Sequence, residues 1–284
     1  MDGFLLINKP EGYTSRQVGS EIGKLFQTKK VGHIGTLDPF ATGLLILSIN
    51  KGTKAGAFFD DFSKKYIATL KLGVLTDTLD KTGKVIKEEA VKKYTKEAIE
   101  KTLCSFLGRK KQTPPMTSAV RINGKKLYEL AHKGIEIDRP SRDIEIYDIK
   151  LLNYDKNEIK FSCHVSKGTY IRVLGKDIAE TLGTCGHLIA LERTGVGPFN
   201  LDEAITLKEV KNDSIRSVAS ILARFSEVVH YDEKLVKDME DGKIAYINYE
   251  SKNDKLLVLD MQNNPVAMYT RSEGNRFVFK RGLF

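Results

Sequence analysis

Apolar positions along this chain change their period several times, and each change marks an element. Residues 3–7 read as a short buried strand, stopped by a turn at Pro10 and Gly12. Thr14 and Gln17 have the spacing of a capping box. Val18, Ile22, Leu25 and Phe26 then recur at helical spacing, so a helix should pack one face on a sheet before the basic Lys29-Lys30 pair. Residues 44–47 are apolar throughout, as in a strand covered on both sides. At 64–73 the period becomes two. Tyr66, Ala68, Leu70 and Leu72 share one face, and on patterning alone Tyr66 is a core tyrosine with a satisfied hydroxyl.

Thr95 can cap a helix carrying Ile99, Leu103, Phe106 and Leu107, closed by Gly108. Strand patterns resume with Ile144 and Ile146, then with Ile159, Phe161, Cys163 and Val165 alternating against polar neighbours. A helix to about Leu182 ends at Gly183, and 187–194 reads as an apolar strand. Loops and a helix occupy roughly 195–229. Beyond them Asp241-Gly242, Asn263-Asn264-Pro265 and Glu273-Gly274-Asn275 punctuate short strands at 256–259 and 266–269. The pattern predicts an α+β fold: a mixed β-sheet flanked by helices over 1–229, then a small C-terminal all-β domain over 230–284. A more basic and irregular stretch at about 84–140 is expected as an insertion in the first domain.

Composition narrows the partners. The 284 residues include 46 Lys plus Arg against 37 Asp plus Glu, a formal charge of +9 that favours a polyanionic partner, although a basic surface kept only for solubility accounts for it equally well. The three cysteines, Cys104, Cys163 and Cys185, show no CxxC spacing. Neither a disulfide framework nor a zinc site is indicated, and the cytosol is the natural compartment. No run approaches the ~20 apolar residues of a membrane span, and no signal-peptide pattern opens the chain, so neither insertion nor secretion is expected.

The candidate chemistry centres on the run GHIGTLDPFATGLL at 32–45. Gly32, Gly35 and Gly43 can take backbone angles closed to other residues, and Pro39 pushes Asp38 out of the helical region, so one carboxylate is set on an irregular loop carried by a buried strand. Taken alone, an Asp-Pro pair is a surface turn. The whole run, however, resembles the catalytic segment of the TruB family of tRNA pseudouridine synthases, which isomerise uridine 55 in the T-stem loop of tRNA.

That resemblance implies roles residue by residue. Asp38 matches the catalytic aspartate, and His33 the histidine that enters the RNA loop where the target base leaves. Lys9-Pro10 resembles the N-terminal K-P-x-G motif, which supports the site. Tyr66 matches the K-x-Y tyrosine that stacks on the target uracil and is a candidate acid or base. Residues 76–83 resemble the T-D-T-x-D-x-x-G run, in which Asp80 could bind the base or backbone. Residues 166–172 are similar to S-x-G-T-Y-I-R; they make Arg172 the ion-pair partner of the catalytic aspartate and put Tyr170 among the substrate-binding residues. An arginine there should lower the carboxylate's pKa and fix its direction. Leu191 matches the leucine that floors the pocket.

Residues 112–121 and 124–134 are similar to the Q-x-P-P-x-x-S-A, G-x-x-L-Y-E and A-R-x-G signatures, which in the family belong to a flap over the T-loop. Arg109, Lys110, Lys111, Arg121, Lys125 and Lys126 would there neutralise phosphates. The chain departs from the family pattern at Thr117, where an aromatic is usual, at His132, where an arginine is common, and at Glu192, which breaks an arginine pair. The resemblance also implies a PUA-like C-terminal domain that grips the acceptor stem.

The implied reaction breaks the C1′–N1 bond of a uridine, turns the uracil and rejoins it through C5. Substrate and product are isomers, so no cofactor or metal is expected. Asp38 could attack C1′, attack the uracil ring or assist proton loss at C2′. The target base must leave its stack, at a cost of a few kcal/mol that phosphate contacts and stacking on Tyr66 would offset. Two other classes share features with this reading: a guide-RNA-dependent H/ACA-type synthase and a non-catalytic RNA-binding or RNA-folding protein. The basic insertion and compact length favour a stand-alone, monomeric enzyme with no obligatory protein partner, and the Asp38, Tyr66 and Arg172 set favours catalysis.

Overall fold

A computed structural model describes residues 2–118, 120–122, 124–131 and 134–284. Strand β1 (Gly3–Lys9) leads through the Pro10 turn into helix α1 (Ser15–Leu25). The capping box is present: the Thr14 hydroxyl accepts from the Gln17 amide, and the Gln17 side chain accepts from the Thr14 amide. Val18 and Ile22 are buried. Leu25, expected beside them, is 54% exposed at the last helical residue, and Phe26 in the cap takes the core-side place. Strands β2 (Val31–Ile34) and β3 (Thr42–Ile49) enclose the Asp38 loop. A long 3-10 segment (Asn50–Phe59) leads to β4 (Lys64–Leu72), the hairpin β5 (Val74–Thr76) and β6 (Val85–Glu88), then α2 (Lys96–Cys104) and β7 (Gly108–Gln112). After the short β8 (Arg121–Ile122), β9 (Lys125–Lys126) and α3 (Leu127–Ala131) come β10 (Arg142–Asp155), β11 (Glu158–Val165), α4 (Ile171–Thr181), β12 (Gly186–Val196), β13 (Phe199–Asn200) and α5 (Val218–Leu222).

Among the described residues nine strands make one mixed sheet, ordered β1-β3-β12-β4-β11-β10-β7, with β2 also on β3 and β13 on β12. The β12–β3 pair is parallel and its neighbours are antiparallel. Successive residues serve opposite cores. Leu5, Ile7, Leu45 and Leu47 pack with α1, α2 and α4, while Phe4, Leu6, Leu44 and Ile46 pack with Phe59, Phe199 and α5. Covering both faces explains why 44–47 is apolar at every position.

The C-terminal module comprises β14 (Glu227–His230), α6 (Glu233–Glu240), β15 (Tyr246–Asn248), β16 (Lys255–Leu259), β17 (Pro265–Glu273) and β18 (Arg276–Gly282), with sheet order β14-β16-β17-β18-β15. Helix α6, capped by Asp232, is an addition to the strands that the turn spacing predicts there. Leu256, Val258, Tyr269 and Phe277 form the module's own core, and Leu257, Leu259 and Met268 face the second core of the large sheet. Among the described residues no helix is long and apolar enough to cross a membrane.

The stretch at 84–140 divides rather than forming one insertion. Ile99 and Leu103 of α2 lie in the main core, and β7 is an edge strand of the main sheet paired with β10. Its sequence GRKKQ hides this, because charge on an edge strand guards against unwanted pairing and leaves no apolar alternation to read.

Gly43 sits where β3 and β12 approach closely. Its φ is +101°, and a Cβ there would lie 2.4 Å from the Arg193 carbonyl oxygen on the parallel neighbour β12. Gly43→Ala should therefore lower stability by on the order of 3 kcal/mol, through strain and overlap together. Gly56→Ala, with nothing within 4 Å, is the control. Urea midpoints compare the two, and equal midpoints would show that the strands can part at no cost.

Candidate active site

The Asp38 loop is pinned from behind by the N-terminal turn. Buried Lys9 donates to the carbonyls of Pro10, Tyr13 and Pro39 at 2.9, 2.7 and 3.3 Å, and the Gly12 amide also donates to Pro39 at 2.8 Å. The Ser15 hydroxyl accepts from the Leu37 amide at 2.9 Å and donates to the Leu37 carbonyl at 3.2 Å. Burial lowers the Lys9 ammonium to about 8, with the Asp38 charge opposing. Lys9 thus spends its donors on main chain, and it shapes the loop without reaching the cavity.

Arg172, in the first turn of α4, holds the aspartate from the side. Its Nε lies 2.8 Å from Asp38 Oδ2 and its Nη2 donates to Asp38 Oδ1 at 3.2 Å, a two-point grip. The second Nη2 proton goes to the Thr117 carbonyl at 3.0 Å. Nη1 donates to the Thr78 carbonyl and to Thr117 Oγ1, both at 2.7 Å. Nε faces Asp38 Oδ2 in the ion pair, and the two terminal nitrogens make four hydrogen bonds, so the guanidinium is ringed by acceptors. Asp80 Oδ2 stands 3.5 Å from Nη1, and its Oδ1 accepts from Thr78 Oγ1, Thr82 N and Thr82 Oγ1 at 2.9, 3.0 and 2.5 Å.

The expected lowering of the Asp38 pKa is reversed. Burial pushes the carboxyl up and outweighs the pull of Arg172; the Asp80 charge pushes the same way, and Lys9 opposes. The result is a carboxylate aimed by an arginine yet more basic than an ordinary aspartate.

Asp38 and Arg172 open on a cavity of about 360 Å3, in the range of small-molecule sites. Tyr66, Tyr170, Leu191 and Arg193 also line it. Gln112, at the end of β7, exchanges two hydrogen bonds with the Tyr170 main chain at 2.8 and 3.1 Å, so the edge strand reaches the site. The buried Ser118 hydroxyl on the wall has no hydrogen-bond partner among the described residues. A wider cleft of about 750 Å3 adjoins, sharing Gly35, Lys64 and Gly168 and carrying Arg109, Arg142 and Lys167. Burial, with the Arg193 charge next, lowers Lys64 to about 8.

The cavity therefore gathers five of the residues singled out from sequence: Asp38, Tyr66, Tyr170, Arg172 and Leu191. Three others are placed elsewhere. His33 is exposed, 3.4 Å from Thr36 Oγ1, beside a groove carrying Arg16, Lys24 and Lys29. Asp80 is 4% exposed and faces Arg172 instead of the cavity, and Lys9 is enclosed. Strand alternation sends Arg109 and Lys111 to one side of β7 and Lys110 to the other, and Lys111 is 3.5 Å from Asp143. The side chains of Arg121, Lys125 and Lys126 and all of His132 lie outside the described residues.

Sequence reading missed Thr117, Lys64 and Arg193. Thr117 stands out in the sequence only as a departure from the family pattern, with nothing to show that it meets Arg172. Arg193 does carry a local signal: it follows Leu191 at strand spacing and so occupies a core-facing position, unusual for arginine.

The sequence profile of the TruB family pseudouridylate synthase N-terminal domain matches residues 23–171, and that of the tRNA pseudouridylate synthase B C-terminal domain matches 172–240. A protein from Hydrogenovibrio crunogenus, called tRNA pseudouridine synthase B, is 42% identical over 248 residues, 86% of this chain and 82% of its own. Namesakes from Psychrobacter arcticus and Fusobacterium nucleatum are 39% and 38% identical, each over 96% of this chain and over 72% and 93% of their own. Among solved structures, a chain of a Cbf5-Nop10-Gar1 complex superposes with a TM-score of 0.74 at 22% identity, covering 99% of this chain and 85% of that one. A chain of an H/ACA RNP bound to a substrate RNA gives 0.72 at 20%, with the same coverage. At such identities the likeness is one of fold.

The electrostatics can be tested on Asp38 itself. Its folded carboxyl holds a proton more tightly than the unfolded one, so by itself it favours the fold at low pH and loses that contribution as pH rises through the folded value. Asp80→Asn removes a like charge and should move the Asp38 titration down, toward the ordinary aspartate range. Carboxyl carbon NMR reads this directly; an unmoved or raised titration would contradict the assignment of Asp80 as an electrostatic neighbour.

Proposed function

The chain belongs to the TruB family of pseudouridylate synthases, and from that membership we propose that it converts uridine 55 in the T-stem loop of tRNA to pseudouridine, acting alone. The observation that carries the reading is the Asp38 carboxylate, gripped at two points by buried Arg172, on the wall of a nucleoside-sized cavity shared with Tyr66.

In this reading the uridine is flipped into the cavity and its ring meets Tyr66 and Leu191, with Tyr170 beside it. Asp38 starts the exchange. Attack at C1′, attack on the ring and proton removal at C2′ all need the same ionised and aimed carboxylate, and burial that makes it more basic serves each of them. The C1′–N1 bond breaks, the uracil turns, and the C1′–C5 bond forms. No atom is gained or lost. His33 works outside the cavity, at the rim where the RNA strand passes, and Lys9 and Asp80 act through the loop and through Arg172.

The adjoining cleft suits the strand that carries the target base. Lys64, Arg109 and Lys167 meet its phosphates, and Lys110, Lys111, Arg121, Lys125 and Lys126 belong to the same electrostatic footprint. Residues 230–284 act as a PUA-like module on the rest of the tRNA. In this reading the enzyme is a cytoplasmic monomer that needs no guide RNA; its relatives over most of its length are called tRNA pseudouridine synthase B, and the H/ACA likeness lies in fold.

Purified protein incubated alone with an unmodified tRNA transcript tests the reading. The unaltered chain should form pseudouridine at position 55. Asp38→Asn, which keeps shape and loses charge, should bind the transcript within a few-fold and turn over at least about a thousandfold more slowly. Turnover of that variant near the normal rate would remove Asp38 from its role, and product only on adding guide RNA or partner proteins would overturn the stand-alone reading.

A further inference from the structure

The site holds a second buried arginine that the roles given above leave idle. Arg193 is 1% exposed, the largest fully buried side chain among the described residues, and it lines the catalytic cavity. Its Nε donates to the Leu44 carbonyl at 2.8 Å and its Nη2 to the Gly35 carbonyl at 3.0 Å, both on the strands that flank the Asp38 loop. These bonds fix the guanidinium without neutralising it. Among the described residues no carboxylate lies within 4.0 Å of it, whereas Arg172 has two. Burying a charge without a counter-ion is costly, so its retention calls for a use.

Strand register says where that charge is directed. On β12, Arg193 is the direct cross-strand partner of Tyr66 on β4, and its other neighbour is Gly43, which has no side chain. Both side chains line the same cavity. Burial alone would hold that phenol strongly protonated, and the Arg193 charge opposes it. After burial, the same charge also helps to lower Lys64 and His33.

We propose that Arg193 is a positioning residue for proton transfer by Tyr66, holding the phenol in place and stabilising its phenolate during the second half of the reaction. This rests on the pseudouridine synthase reading above. When C5 of the turned uracil bonds to C1′, the ring regains its conjugation only by losing the C5 proton. The uracil anion, freed at N1, takes up the Tyr66 hydroxyl proton, directly or through water. The phenolate so formed, beside Arg193, then takes the C5 proton as the C5–H electron pair returns to the ring. Tyr66 ends as it began, N1 has gained the proton that C5 lost, and no further reactant is needed.

The test uses tRNA carrying 5-deuterouridine at the target position and compares the unaltered protein with Arg193→Lys and with Gly35→Ala. The lysine keeps the charge but not the fork that reaches two carbonyls. The alanine keeps Arg193 but sets a Cβ 3.2 Å from its Nη1 at a left-handed φ of +68°, so it strains the loop, presses on the guanidinium by a few tenths of an ångström, and gives a second readout if the lysine variant fails to fold. Either variant should lose about tenfold or more in kcat with KM for tRNA within about threefold, and should show a primary deuterium effect on kcat larger than that of the unaltered protein. A lost structural contact would slow turnover without making C5–H cleavage rate-limiting. Unchanged isotope effects in the folded variants overturn the proposal. If the unaltered protein makes no pseudouridine at all, the reaction itself is wrong; if it makes product and the variants lack the isotope effect, only the role of Arg193 falls.

Discussion

A buried guanidinium ringed by acceptors is the constraint on which the site depends. Arg172 draws its acceptors from three separate parts of the chain: the Asp38 loop, the turn at Thr78 and Asp80, and the loop at Thr117. Arg172 is 3% exposed, so taking away a carboxylate that it faces costs about 3–5 kcal/mol, because its charge stays out of water. The three segments are therefore held in one arrangement, and the direction of the Asp38 carboxylate follows from it. Lys9 completes the frame from behind by fixing the Pro39 carbonyl.

The two arginines divide the work by their counter-ions. Arg172 lies between two carboxylates, so its charge is balanced and its contribution is geometry. Arg193 is bonded only to carbonyls among its described hydrogen bonds, so its field extends across the cavity to Tyr66 and Lys64. The central strands make this possible. Parallel β3–β12 and antiparallel β12–β4 pairing bring Gly43, Arg193 and Tyr66 side by side, with α4 and α1 on the same side of the sheet.

Much of this is legible in sequence where a residue's own chemistry dictates its setting. The glycines and Pro39 announce the Asp38 loop, period-two patterning puts Tyr66 with the core, and the run ending in Arg172 carries its family's signature. What stays hidden depends on three-dimensional neighbours. Asp80 turns away from the cavity because three hydroxyl and amide donors of its own turn hold its Oδ1. The Asp38 pKa rises instead of falling because burial, which no sequence states, outweighs the visible arginine. The strand β7 is concealed by its charges, and Thr117 gives no sign that its hydroxyl meets Arg172. Arg193 was readable as a charge at a core-facing strand position, but its purpose depends on register with Tyr66.

The claim that the Arg172 fork, and not merely its charge, aims Asp38 is tested most directly by Arg172→Lys under single-turnover conditions with saturating tRNA. Lysine keeps a cation near the carboxylate but offers a point charge in place of two aligned donors. The account predicts that the rate of pseudouridine formation falls by about a hundredfold or more while tRNA affinity stays within a few-fold. A lysine variant that forms product at the normal rate would contradict it.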